Sequence, residues 1–209
     1  MYVKQDRVNA ATPVAFVRGP EIAQPLLEEI ASVFQRCFEG PPWNEVWTAA
    51  QAQQHLYSEY VIHEGIFVFQ RSGSSITGFA CGAGAESCST KLQATVSPPI
   101  ATQYLGSDVF YLGEVCVLPE ARASKLGIKL FNELISQAQA AGYIYGLGVT
   151  RPDRKSALAL AAAAGLRPVS EGAVTLGNAT NQAQIFWGKF SRPNDLCGSA
   201  ASKATPPTA

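Results

Sequence analysis

At 209 residues the chain is long enough for one domain with a substantial core and short for two. Its 47% apolar content marks a globular protein, and sixteen basic against sixteen acidic residues leave no charge excess to draw it to nucleic acid or to an anionic membrane. No apolar run approaches the roughly 18 residues of a membrane span, and the N-terminal MYVKQDRVNA has no apolar signal-peptide segment, so a cytoplasmic protein is expected.

The first predicted element is a strand, Thr12 to Gly19, followed by a helix over EIAQPLLEEIASVFQRCFEG that Gly40 is placed to stop. Pro25 inside that pattern marks either a first turn or a kink. Pro41 and Pro42 interrupt the backbone before a second helix that Thr48 can cap. GIFVFQRSGSSITGFACGAGAES reads as two strands around an SGSS turn, a hairpin. Cys88 to Asp108 is polar, holds Pro98 and Pro99, has no clear period, and is expected to be an inserted loop with at most one short helix. VFYLGEVCVL returns to strand, Ser124 to Ala141 is a helix closed by Gly142, and YIYGLGVT is another strand. DRKSALALAAAAGL is an alanine-rich helix ending at Gly165, and two strands close a single domain at 1–190. The tail 191–209 has little to bury and is expected to be disordered.

The five cysteines, Cys37, Cys81, Cys88, Cys116 and Cys197, are odd in number and lack CxxC spacing, which fits a reducing compartment and buried thiols. With only His55 and His63 to join them, no metal site is expected.

The stretch from Glu114 to Leu134, EVCVLPEARASKLGIKLFNEL, passes from strand through a basic turn into an amphipathic helix. A helix N-terminus placed after a strand gathers free N–H groups and the positive end of the helix dipole, a natural seat for a phosphate. Arg122 and Lys125 add charge there, and Gly127 allows close approach to the backbone.

This segment resembles the CoA-binding motif of the GNAT superfamily of N-acyltransferases, V-x-P-x-x-R/Q-x-x-G-x-G/A. Val117, Pro119, Arg122 and Gly127 match in register, whereas Lys125 replaces the first motif glycine. The order of elements from Thr12 to Phe190 is similar to the family's as well. SALALAAAAGL resembles the family's A-x-x-x-Y-x-x-x-G-F segment through Ala157 and Gly165, with Ala161 where the thiolate-protonating tyrosine usually stands. The resemblance implies a mixed α/β fold: a mostly antiparallel central sheet of about six to seven strands, splayed at its centre, with about four flanking helices.

The resemblance further implies acetyl-CoA, or another short acyl-CoA, as co-substrate. Its pantetheine arm would lie on the backbone of Cys116, Val117 and Leu118, and its pyrophosphate on the turn formed by Arg122, Ala123, Ser124, Lys125, Leu126 and Gly127. Ile128 continues that turn into the helix, and Arg154 joins the cofactor-binding set. Glu114, an ionisable residue in an apolar strand, is the candidate general base, or else an ordinary strand residue paired to a surface cation. With Ala161 unable to donate a proton, Ser156 and Tyr145 are the nearest hydroxyls along the chain.

In the family the acceptor pocket is formed in large part by the first two helices and their connection. Here that connection holds Trp43, Glu45 and Trp47, the two tryptophans spaced to share one helical face and either to bind an acceptor or to pack the helix. Three readings follow: an N-acyltransferase of a small-molecule amine, an acetyltransferase of protein or peptide amines, and a CoA-binding module that has lost catalysis. No nucleic-acid or membrane partner is expected, and the oligomeric state, a homodimer included, stays open.

Overall fold

A computed structural model describes residues 13–41, 43–87, 104–151, 153–175 and 182–190. Most of the insertion expected at 88–108, the tail 191–209, and Cys88 and Cys197 lie outside them. Strand β1 is Ala15–Arg18, and helix α1 is Gln24–Glu39 with Pro25 in its first turn, so this proline starts the helix. Leu27, Ile30, Ala31, Phe34 and Cys37 recur at helical spacing and are all buried, which turns one stripe of α1 to the sheet. On its flank Glu29 accepts two hydrogen bonds from Arg71, at 2.9 and 2.6 Å, and one from the Ile76 N–H at 2.8 Å.

Helix α2, Ala49–Glu59, opens with a capping box in which Thr48 Oγ1 accepts from the Gln51 N–H at 3.2 Å and Gln51 Oε1 accepts from the Thr48 N–H at 2.9 Å. Strands β2, Ile66–Ser72, and β3, Ser75–Gly84, form the expected hairpin. Strand β4, Val109–Val117, leads through a 3-10 turn at Pro119–Ser124 into helix α3, Leu126–Ala140. The helix starts later than the expected Ser124 because Pro119 opens that tighter turn and Lys125 leaves it in the left-handed region. Strand β5, Tyr145–Thr150, helix α4, Lys155–Ala163, and strands β6, Arg167–Thr175, and β7, Gln182–Lys189, complete the fold.

The seven strands form one sheet in the order β1-β2-β3-β4-β5-β7-β6, antiparallel except where β4 meets β5. One apolar layer, with Ile30, Phe34, Leu56, Phe67 and Phe79, packs under α1 and α2; the other, with Phe110, Leu130, Leu134 and Leu166, packs under α3 and α4. Each fully buried side chain of this size contributes about 1.5–3 kcal/mol by leaving water.

The parallel pair is short. Val109 to Leu112 pair with Tyr145 to Gly148, after which β4 runs on to Val117 against β3 alone and β5 runs on to Thr150 against β7 alone. The sheet is thus splayed between its two central strands, as the resemblance implied. Among the described residues no helix is long and apolar enough to cross a membrane.

Candidate active site

The register of β3 against β4 changes once. Gly78, Phe79 and Ala80 face Val117, Cys116 and Val115, whereas Gly82, Ala83 and Gly84 face Leu112, Tyr111 and Phe110. Gly113 and Glu114 therefore share the single place opposite Cys81, which is a β-bulge. The extra residue reverses which side chains meet which layer. Ahead of it Phe110 and Leu112 belong to the α3 and α4 layer; beyond it Cys116 and Leu118 belong to the α1 and α2 layer, and Val115 and Val117 to the other.

Glu114 shares the parity of Cys116 and so points toward α2. There His55 Nε2 lies 3.5 Å from Glu114 Oε1, and the Tyr60 hydroxyl donates to the same oxygen from 3.4 Å. Phe34, Trp47 and Tyr60 surround the imidazole, with ring centroids 5.2, 5.3 and 6.2 Å away. A Cβ on Gly113 would stand 2.4 Å from the Tyr60 hydroxyl oxygen and 2.5 Å from Cε1 of its ring, so only glycine lets Tyr60 cross the bulge this closely. The Glu114 side chain keeps 24% of its exposure, enough to meet a ligand while partly withdrawn from water.

A cleft of about 470 Å³ fills the splay, walled by β4 from Leu112 to Val117 and by Gly148, Val149 and Thr150 of β5. The Leu118 N–H donates to the Thr77 carbonyl at 3.0 Å. Because backbone groups alternate in an antiparallel ladder, Cys116 and Leu118 turn theirs to β3, while Val115 and Val117 turn theirs to the open side. The Val117 carbonyl there accepts from Arg122 Nε at 3.1 Å. Of Cys116, Val117 and Leu118, the candidates to hold a pantetheine arm, only Val117 turns its N–H and C=O to the open side. Val115 is the second such residue, and the apolar pattern of the strand carried no sign of this hydrogen-bond parity.

The basic turn sits at one end of the cleft, where Arg122 and Gly127 line it. Arg36 binds Glu120 at 2.9 Å and fastens the turn to α1, and Ser124 Oγ donates to the Ala121 carbonyl at 2.7 Å. Lys125 takes φ 59° and ψ 17°, the conformation that the family's glycine would adopt without strain, and supplies no side-chain cap. The N–H groups of Leu126, Gly127 and Ile128 precede the first intrahelical bond, Lys129 N–H to the Lys125 carbonyl at 3.2 Å. The Leu126 side chain is buried in the core, Ser124, Lys125 and Ile128 are exposed, and Ala123 lies in the 3-10 turn. A Cβ on Gly127 would meet only Val117 Cγ2, at an ordinary 3.7 Å, so the packing of the chain itself does not require glycine there.

Two thiols meet in the same wall. Cys37 of α1 and Cys116 both line the cleft, and the Cys116 thiol hydrogen-bonds the sulfur of Cys37. That bond, helped against burial by the Arg122 and Arg36 guanidinium groups, holds the Cys37 thiol below the ordinary cysteine range. Burial pushes the Cys116 thiol well above it, and Cys37, Glu114 and Cys81 add to the rise.

Arg154 and Trp43 reach the cleft from opposite sides of the splay and stack, with the guanidinium carbon 4.4 Å from the ring centroid. Trp43 also leans on Phe38 at 5.1 Å. The two tryptophans do not share a helical face: α2 begins only at Ala49, and Asn44 between them is left-handed at φ 52°. Trp47 instead meets Phe34 nearly at right angles, ring centroids 5.0 Å apart, and donates its Nε1–H to Oε2 of the exposed Glu45 at 3.0 Å. Ser156 and Ala161 line the cleft, but Tyr145 lies opposite Val109 at the paired end of β5 and stacks on Trp187 at 4.9 Å, so it is not placed to protonate a thiolate there.

His55 was missed as a site residue, although its place three residues after the buried Ala52 put it on the inner face of α2. Cys37 was missed because its apolar spacing made it one more core position. Among the described residues no cluster of three or more His, Cys, Asp or Glu could hold a metal ion.

Residues 27–166 match the family described as the acetyltransferase (GNAT) family. The ribosomal-protein-S18-alanine N-acetyltransferase of Escherichia coli is 14% identical, with 92% of this chain and 99% of that one covered at a TM-score of 0.58. A GNAT-family protein from Desulfovibrio desulfuricans is 20% identical over 85% of this chain and 99% of its own, also at 0.58. A GNAT-family acetyltransferase of Staphylococcus aureus Mu50 is 13% identical over 86% and 100%, at 0.57. At such identities these structures share the fold and nothing finer, and no curated protein matches the sequence. With two thirds of its length inside the family match and the splayed sheet that goes with it, the chain belongs to the GNAT acetyltransferase family.

Proposed function

We propose that the protein is an acyl-CoA-dependent N-acyltransferase that moves an acetyl or other short acyl group to a primary amine of a small molecule by direct attack, with Glu114 as general base. The observation that carries this reading is the bulge at Gly113 and Glu114, which sets one carboxylate beside the opening of the sheet. Attack on a thioester needs a neutral amine, and an ammonium at neutral pH must first lose a proton to a nearby base.

The Val115 and Val117 backbone would hold the pantetheine arm and polarise the acyl carbonyl, and the α3 amides with Arg122 and Lys125 would take the pyrophosphate. Arg154, stacked on Trp43, adds a cation at the cleft and leaves an apolar wall against which a compact amine can rest. The departing thiolate has a conjugate acid near the roughly 8.5 of a cysteine thiol, so water or Ser156 suffices to protonate it.

The test is free-thiol release from acetyl-CoA against a panel of small amines and peptides with free N-termini. Glu114→Gln should lower kcat by a factor on the order of 10². A variant that keeps both the rate and the acidic limb of the pH profile removes Glu114 from the role. Turnover of peptides alone would replace the small-amine reading. Tight acetyl-CoA binding with no turnover across the panel would replace it with a binding module.

A further inference from the structure

We propose that Cys37 and Cys116 form a reversible oxidation site in the cleft wall, where a peroxide converts Cys37 to its sulfenic acid and Cys116 closes a disulfide onto it. The two side chains come from different elements, α1 and β4, and are far apart in sequence, yet they touch through a hydrogen bond and both face the cleft. Both are reduced in the structure and otherwise buried, 4% and 2% exposed, so the cleft is the path by which a small oxidant reaches them.

Their surroundings divide the two roles. The charges of Arg122 and Arg36, with the hydrogen bond between the two thiols, favour the thiolate on Cys37, the form that attacks an oxidant. Cys116 is the protonated partner, already in contact with the sulfur it must reach. The Cys37 thiolate attacks one peroxide oxygen, the O–O bond breaks, and the other oxygen leaves as hydroxide, which takes up a proton to become water. Cys116 then gives up its proton, its sulfur attacks the Cys37 sulfur, and the S–O bond breaks to release a second water. Two thiols lose two electrons and one hydrogen peroxide becomes two waters.

The disulfide would pin α1 to the strand at the residue between Val115 and Val117, and would consume the thiol whose ionised form Arg122 favours. Oxidation should therefore alter acetyl-CoA binding, a consequence that rests on the reading of the cleft as the CoA site, whereas the oxidation itself does not.

The full-length protein is treated with hydrogen peroxide, digested without reductant and mapped by mass spectrometry. The expected result is a peptide pair joined through Cys37 and Cys116, about 2 Da lighter than the two free peptides and reverted by dithiothreitol. In Cys116→Ser, dimedone should capture a sulfenic acid at Cys37; in Cys37→Ser, Cys116 should stay unmodified. If peroxide leaves both thiols of the unsubstituted protein alkylatable, or joins either to another cysteine, the proposal is wrong, and that result needs no variant to fold. Saturating acetyl-CoA should slow the reaction about tenfold. Linkage that forms equally fast with acetyl-CoA present keeps the oxidation site and overturns the placement of CoA.

Discussion

Lys125→Gly separates what the α3 turn demands of the backbone from what it gains in charge. At φ 59° and ψ 17° an L-residue sits in the left-handed region at a cost of about 1–2 kcal/mol, which glycine does not bear. Glycine gives back about 0.4–1 kcal/mol by widening the choices of the unfolded chain. A Cβ loss costs nothing in packing here, because Lys125 is exposed. The net expectation is a gain of about 0.5–1 kcal/mol, seen by scanning calorimetry as a melting temperature raised by about 1–4 °C in a chain of this size. Calorimetric titration of the same variant with acetyl-CoA reads the other half. If the Lys125 ammonium touches a phosphate, affinity drops by about 1–2 kcal/mol although the fold is firmer. If the turn binds through amides alone, affinity is unchanged or better. A variant with native circular dichroism that melts lower than the parent would refute the claim that Lys125 is strained.

Three further outcomes are expected. Gly113→Ala should cost about 1–3 kcal/mol in urea unfolding, because its Cβ would stand within 2.4–2.6 Å of the Tyr60 hydroxyl and ring, and Tyr60 is 2% exposed and has little room to retreat; an unchanged midpoint would mean that the bulge yields easily. Arg122→Glu should weaken acetyl-CoA binding by about 1–3 kcal/mol in calorimetry, and equal affinity in a folded variant would take the phosphate away from this turn. Alkylation of Cys37 by iodoacetamide should persist to lower pH than that of free cysteine, since Cys116, Arg122 and Arg36 favour its thiolate; the rate falls only as pH drops through the depressed folded value, and Arg122→Gln should move that fall upward in pH, whereas a profile matching free cysteine would contradict the geometry.

The elements were legible where periodicity was intact. The stripe from Leu27 to Cys37, the Thr48 cap, the hairpin around Gly73 and the glycines that end α3 and α4 each act over a few residues, and those residues were enough. Glu114 was legible because a carboxylate in an apolar strand calls for a reason. What failed to show were contacts between distant segments and changes of phase. The Trp43 and Trp47 spacing suggested a shared face, but it presumed a helix that the left-handed Asn44 and the late start at Ala49 do not allow. Tyr145 looked near enough along the chain to serve as an acid, and the short parallel pairing of β4 with β5 carried it to the other end of the strand. The Cys37 to Cys116 contact joins two apolar patterns that were each complete without it.

One inserted residue organises the two halves of the site. An unbroken β4 would present its side chains in strict alternation, so Glu114 would share a face with Leu112 and point into the layer beneath α3 and α4, where Leu130 and Leu134 leave it no polar partner. The bulge adds a step, and the same strand then aims the Glu114 carboxylate at His55 and Tyr60 on one side. Its next residues, Val115 and Val117, keep their side chains on the other side and their N–H and C=O groups toward the opening. Since β5 stops pairing with β4 at Gly148, level with Leu112, the backbone groups released by the splay begin where the carboxylate is turned. A glycine within a predicted strand, Gly113 beside Glu114, was the signal for this change of phase. The bulge and the splay act together: without the bulge the opening would have no carboxylate beside it, and without the splay the carboxylate would have no cleft to face.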